Sequence, residues 1–185
     1  MKMRPGEEGQ LVLFTVGHST RPIEEFLALL MVRGIRKVVD VRTVPRSRRN
    51  PQFGIEVLPQ TLEATGIDYL HMPTLGGLRH AKHDSANAGW RNASFRGYAD
   101  YMQTPEFEEA LEELIALARE LPLAIMCAEA LPWRCHRSLI ADALTVRGVT
   151  VKHITGPTSS SPHRLTPFAK VEGTRILYPP EKTPA

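Results

Sequence analysis

The two cysteines of this chain, Cys127 and Cys135, bracket a short polar segment that also holds Glu129 and Arg134 and runs on into His136 and Arg137. A thiol, an imidazole and a carboxylate this close in sequence are the parts of a nucleophile, its base and the group that orients it. The guanidinium groups beside them suit bidentate recognition of a phosphate or carboxylate. Two further segments add to the inventory: Gly17-His18-Ser19-Thr20, and Arg42 with Arg46, Arg48 and Arg49.

Each of these residues also has a plainer reading. Cys127 is predicted to end a strand ahead of a loop and a helix, the arrangement that supports a low-pKa thiolate in cysteine-dependent phosphatases and sulfur transferases. Those enzymes place their arginine one position nearer the cysteine than Arg134 stands, and Trp133 occupies that position here. A structural cysteine beside Met126 is therefore an equal reading. Cys135 and His136 fall in the predicted first turn of the next helix, where the dipole favours a thiolate and disfavours an imidazolium. Adjacent helical residues diverge by about 100°, so one of the pair is expected to face a ligand and the other to pack. Glu129 is either a general base or an acceptor for Arg137, and Ser19 is either an anion contact or a helix cap.

For these groups to meet, the elements between them must fold back on one another. The apolar run Leu11–Val16 ending at Gly17 reads as a strand buried on both faces. Pro22 opens a helix whose core face is Ile23, Phe26, Leu27 and Leu30, and Gly34 closes it. Lys37–Val41 reads as the second strand, 57–64 as a helix, and Ile67–Met72 as a third strand. The stretch from Pro73 to Asn92 reads as a long functional or mobile loop. Helices follow over 95–102 and from Thr104-Pro105, the latter with Phe107, Leu111, Leu114, Ile115 and Ala118 on one face. Leu123–Cys127 is the fourth strand, a helix spans 133–147, and Val149–Ile154 is the fifth strand.

Strand and helix alternate, which predicts an α/β fold: a single three-layer, Rossmann-like domain with a mostly parallel five-stranded sheet in the order 3-2-1-4-5. In that order the winding switches between strands 1 and 4, and a ligand is expected in the crevice outside their carboxyl ends. The turn bearing His18 would then face the turn bearing Glu129. Asp40 and Arg42, two residues apart, would share one side of the second strand and pair.

Hydrophobic residues at 42% and charged residues at 23% exclude disorder as the dominant state. The 185 residues fit one domain, with an N-terminal extension over 1–10 and a partly mobile tail over 155–185, in which Arg175–Tyr178 is expected to add an edge strand. No apolar run approaches the roughly 20 residues of a membrane span, and Glu7 and Glu8 stand where a signal peptide needs an apolar segment. A cytoplasmic protein with reduced thiols and no membrane partner is expected. A net charge of +3 is too small to argue by itself for nucleic acid.

Taken together, Thr15-Val16-Gly17-His18-Ser19, Asp40-Val41-Arg42, Pro45-Arg46-Ser47, Asn50-Pro51-Gln52-Phe53, Leu75-Gly76-Gly77, Tyr98-Ala99, Met126-Cys127-Ala128-Glu129, Cys135-His136-Arg137 and His153-Ile154 resemble the family catalogued as domain of unknown function 488. The resemblance implies an α/β fold and a shared site built from these polar residues. It carries no established activity, so function has to be argued from the site.

The expectation is a small enzyme that binds an anionic substrate: a phosphate, a nucleotide or a nucleic acid. Cys127, His18, Glu129 and His136 are its catalytic candidates, and Arg42, Arg46, Arg134, Arg137 and Ser19 its anion-binding ones. No cofactor is expected and no metal is assigned, because there is no paired Cys-x-x-Cys or His-Glu-x-x-His. Two other readings stay open. One is a nucleic-acid-binding module using the Arg42–Arg49 loop with Phe53 as a stacking face. The other is a metal-binding regulatory domain, since Cys127, Glu129, Cys135, His136 and His18 are all legitimate ligands.

Overall fold

The computed structural model of the chain describes residues 9–181, so most of the expected N-terminal extension lies outside the described residues. Strands β1 (Val12–Gly17), β2 (Lys37–Asp40), β3 (Asp68–His71), β4 (Leu123–Cys127) and β5 (Thr150–Ile154) run parallel. Helices α1 (Ile23–Met31), α2 (Leu58–Glu63), α3 (Ala93–Tyr101), α4 (Pro105–Glu120) and α5 (Arg137–Thr145) connect them. Side chains alternate across each strand, so both sheet faces are apolar and both are covered. On one face Val16, Val38, Ala124 and Met126 meet Phe26, Leu29 and Leu30 of α1 and Leu58 and Leu62 of α2. On the other, Leu13, Val39, Leu123 and Ile125 meet Tyr98, Phe107, Leu111, Leu114, Leu139 and Ile140 of α3 to α5. This is the expected three-layer α/β architecture.

The strand order differs from the expected one. It is 3-2-4-1-5-6, with β1 and β4 exchanged and a sixth strand added. The crossover through α1 carries the chain one place beyond the neighbour of β1, and β4 later fills that slot, pairing with β1 and β2 alike. Leu123, Ala124, Ile125 and Met126 form an unbroken apolar run with no exposed surface, as a strand flanked on both edges and covered on both faces requires. Hydrophobic periodicity marks which segments are strands and leaves their neighbours unassigned.

The edge strand also comes from a different segment. Strand β6 (Ser160–Pro162) pairs antiparallel with β5, while Arg175–Leu177 forms β8 of a separate two-stranded sheet with β7 (Lys170–Glu172). Beyond β8 the chain turns inward: Tyr178 is fully buried and its hydroxyl donates to Asp142 Oδ2 at 2.7 Å.

The 73–92 loop is held by α3. Asp100 accepts from Lys82 N, Ser85 Oγ and Asn87 Nδ2 at 2.6–2.8 Å, and Tyr98 Oη donates to Leu75 O at 2.9 Å. These bonds tie the loop to α3 on both sides of Gly77 and Leu78, and Leu78 N donates to Thr43 Oγ1 at 3.2 Å. The helix expected over 133–147 is shorter: Pro132–Arg134 form a 3-10 turn, Cys135 is extended at φ −131° and ψ 144°, and α5 begins only at Arg137. Among the described residues no helix is long and apolar enough to cross a membrane.

Candidate functional site

The loops that follow β1 and β4 lie directly on each other, and this contact closes the ends of the two strands. Gly17 pairs with Cys127, His18 N donates to Cys127 O and Ser19 N to Ala128 O, both at 2.9 Å. The turn after β1 therefore lies against the loop after β4 and supports it. The His18 and Ser19 amides are spent on that loop. Ser19 adopts φ 49°, a left-handed conformation few non-glycine residues accept, and it does not line the cavity described below.

His18 is 2% exposed. Its Nδ1–H donates to Ser19 O at 2.8 Å, its ring stacks on Phe53 at 4.3 Å, and Nε2 faces Arg42 Nη1 at 3.3 Å. Since a carbonyl only accepts, the proton sits on Nδ1 and Nε2 takes the guanidinium N–H. Burial pushes the imidazolium pKa down to about 4, so the ring is neutral near pH 7. Arg42 forms the pair with Asp40 that the spacing predicts, Nε to Oδ1 at 2.9 Å and Nη2 to Oδ2 at 2.6 Å, and Nη2 also donates to Phe53 O at 2.8 Å. Tyr69 Oη closes the network on Asp40 Oδ2 at 2.6 Å. Phe53 has no exposed surface, so it offers no face on which a base could stack.

On the β2 side of β4 a cavity of about 470 Å³ opens at the carboxyl edge of the sheet. The loop after β2 contributes Arg42, Thr43, Val44 and Arg46, and the loop after β4 contributes Cys127, Ala128 and Glu129. Arg134, Cys135 and His136, Gly77 and Leu78, and Asn92, Ser94 and Phe95 complete it. Arg46 and Arg134 are exposed, and neither pairs with a carboxylate among the described residues. The Glu129 carboxylate is exposed as well and accepts from Leu131 N at 3.2 Å.

Within this cavity Cys127, Cys135 and His136 bring one sulfur, one sulfur and one ring nitrogen within 4.8 Å of one another. Cys135 precedes α5 in extended backbone and His136 is its N-cap residue, so the helical divergence expected of adjacent side chains does not apply and both face the same space. His136 Nε2–H donates to Val41 O at 3.1 Å, and Nδ1 stands 3.6 Å from Cys135 Sγ. The Cys127 thiol donates to Cys135, which holds the Cys135 thiol below the usual range and raises that of Cys127; burial raises Cys127 further, and Arg137 lowers Cys135 further.

Arg137 is 1% exposed and does not line the cavity. Its Nη2 donates to Glu129 O at 2.6 Å and to Ala130 O at 3.3 Å, so the contact runs to the Glu129 backbone and not to the carboxylate. Its Nε has no partner, and no carboxylate pairs with it among the described residues.

Of the residues singled out from sequence, Arg42, Arg46, Cys127, Glu129, Arg134 and His136 therefore meet in one cavity. His18, Ser19 and Arg137 lie behind its walls. Sequence reasoning missed Val44, Leu78, Asn92 and Ser94. The signals were the Gly76-Gly77 pair, which lets the loop approach His136, and Asn92, whose side chain caps α3 by accepting from Ser94 N at 2.8 Å.

The family described as Domain of unknown function DUF488 matches residues 22–144, more than half the chain. That span takes in β2, β3, β4 and every residue lining the cavity. Comparison with characterised proteins and with solved structures gives no match. The chain belongs to the DUF488 family.

Proposed function

We propose that this protein is an enzyme acting on an anionic, phosphate-bearing substrate in the cavity at the carboxyl edge of β2 and β4. One observation carries the reading: Arg46 and Arg134, two exposed cations without carboxylate partners among the described residues, line the same cavity as Cys127, Cys135 and His136. In this reading Arg46 and Arg134 hold the anion through charge-assisted hydrogen bonds. Glu129 is the exposed group in reach for proton transfer, and Cys127, Cys135 and His136 form the reactive cluster beside it. His18, Asp40 and Tyr69 are positioning residues that fix Arg42, and Ser19 and Arg137 hold the Glu129 loop.

Trp133 is 65% exposed and adjoins Arg134, which makes its fluorescence a reporter. Titration with inorganic phosphate and with a mononucleotide should give a saturable change, weakened about tenfold by Arg46→Ala or Arg134→Ala, as expected when a hydrogen bond to a charged group is lost. Turnover of a phosphate-ester panel should disappear in His136→Gln while phosphate still binds. Absence of saturable binding at millimolar phosphate, or wild-type affinity in both arginine variants, contradicts the proposal.

A further inference from the structure

We infer that Cys127 Sγ, Cys135 Sγ and His136 Nδ1 form a three-ligand site for a divalent cation of the zinc class, with the fourth position open to the cavity. What such an ion does rests on the reading of the cavity as a reactive site; that it binds does not.

Geometry is the first support. Zinc takes sulfur at about 2.3 Å and imidazole nitrogen at about 2.0–2.1 Å in tetrahedral sites, so a nitrogen and a sulfur on one ion stand about 3.5 Å apart. Cys135 Sγ and His136 Nδ1 are 3.6 Å apart, and the whole triad spans no more than 4.8 Å. One edge already has the length that one ion requires, and the other two are at most about 1 Å longer than the ~3.5–3.8 Å of a tetrahedral zinc site.

The second support is the tautomer. A ligating histidine ordinarily donates its other N–H to a carbonyl or carboxylate, which fixes the ring and leaves a lone pair for the metal. His136 does this through Nε2–H to Val41 O, and in the neutral ring Nδ1 is then a lone pair facing sulfur. The Tyr98 ring, 5.0 Å away, and Gly77 hold the imidazole in place; a Cβ on Gly77 would stand 2.5 Å from Nδ1.

Charge and placement agree. Binding sends the two thiol protons to solvent, and the two thiolates balance the dication. Arg137, buried with no carboxylate partner among the described residues, sets a positive charge near the Cys135 sulfur that favours its thiolate. The ligands come from the end of β4, the residue that closes the Pro132–Arg134 turn and the α5 cap, which are rigid places for a site. Two thiolates and one imidazole select zinc over calcium, magnesium or manganese. Three protein ligands with the cavity at the fourth position is the pattern of a site that polarises a substrate oxygen or a bound water.

The test uses the full chain, reduced and stripped of metal, titrated with zinc against a chromogenic chelator. One equivalent should bind and protect both thiols from alkylation. Cobalt should give thiolate charge-transfer absorption with the intense visible bands of a tetrahedral ion. Cys127→Ser, Cys135→Ser and His136→Gln should each weaken zinc by at least about tenfold, the loss seen even when only an outer partner of a metal site is removed. If Cys135→Ser fails to fold, His136→Gln with an unchanged circular dichroism spectrum carries the comparison. Substoichiometric zinc, cobalt spectra without sulfur bands, or unchanged affinity in folded His136→Gln overturns the inference. Arg46→Ala should weaken phosphate and leave zinc affinity unchanged, so a protein that binds zinc but no phosphate keeps this inference and loses the proposed function.

Discussion

The carbonyl oxygen of Glu129 lies so close over Gly17 that a Cβ built there would stand 1.9 Å from it, with the Glu129 carbonyl carbon at 2.7 Å and Ala130 Cα at 2.8 Å. No backbone carbonyl accepts a methyl group at that distance, so the last residue of β1 has to be glycine for the loop after β4 to lie where it does. Gly17→Ala should cost about 1–3 kcal/mol or more, the usual range for overpacking. It should also move Cys127 to Ala130, which Arg137 and the β1 turn otherwise hold. Urea denaturation measures the first effect, and amide shifts confined largely to 127–137 would report the second.

Asp40 and Arg42 form a buried ion pair with two parallel hydrogen bonds, at 0% and 5% side-chain exposure. Removing one member leaves the other charge in the interior, which costs about 3–5 kcal/mol. Asp40→Ala should lose that much stability, and it should also free the Tyr69 hydroxyl and loosen Arg42 from His18. Chemical denaturation provides the measurement; a loss under about 1 kcal/mol, as for an exposed pair, would contradict the account.

Gly77 takes no positive φ, so an alanine there meets a neighbour without straining its own backbone. The neighbour is His136, whose Nδ1, Cγ and Cε1 would lie 2.5–3.0 Å from the new Cβ. Gly77→Ala should shift the His136 ring and weaken zinc by more than tenfold, as losses of this kind at metal sites do, while thermal stability changes far less than in Gly17→Ala. Paired metal titration and thermal unfolding of the two variants distinguish a local effect from a global one.

A chain of hydrogen bonds from α5 to β1 gives a pH prediction. His163 Nε2–H donates to Asp142 Oδ1 at 2.7 Å, His153 Nε2–H donates to His163 Nδ1 at 2.9 Å, and Thr15 Oγ1 donates to His153 Nδ1 at 2.7 Å. Burial, then the neighbouring His163, lowers the His153 pKa from 6.5 to about 4. The folded state thus keeps His153 neutral where the unfolded chain would protonate it. Its contribution is present above pH 6.5 and lost as pH falls toward 4, on the order of 3 kcal/mol by linkage. Nitrogen-15 shifts of the His153 ring should report a neutral imidazole at pH 5.5; a midpoint near 6.5 would contradict it.

Much of this was legible in the sequence, for identifiable reasons. The period of Phe107, Leu111, Leu114 and Ala118 and the Thr104-Pro105 start located α4 closely, because an amphipathic helix writes its core face at fixed spacing. The Asp40–Arg42 pair followed from strand alternation. The order of β1 and β4 did not, since pairing depends on which slot a crossover leaves open, and this moved the cavity from β1/β4 to β2/β4. His18 looked catalytic because a histidine after a strand often is; only its stacking on Phe53 and its bond to Ser19 identify it as a buried support. The cooperation of Cys135 with His136 was hidden by an expected helix start that the Pro132–Arg134 turn postpones. The His153, His163 and Asp142 chain has no spacing signature, because its members come from three elements.

In the proposed reading the anion binds in the cavity between the loops after β2 and β4, beside the Cys127, Cys135 and His136 group. Backbone amide spectra recorded while inorganic phosphate is added test it most directly. The account predicts saturable shifts in 42–46, 77–78, 127–129 and 134–136, with the turn at 17–20 and the 170–177 hairpin unmoved. Saturable shifts centred elsewhere, or none at these positions at millimolar phosphate, would contradict it.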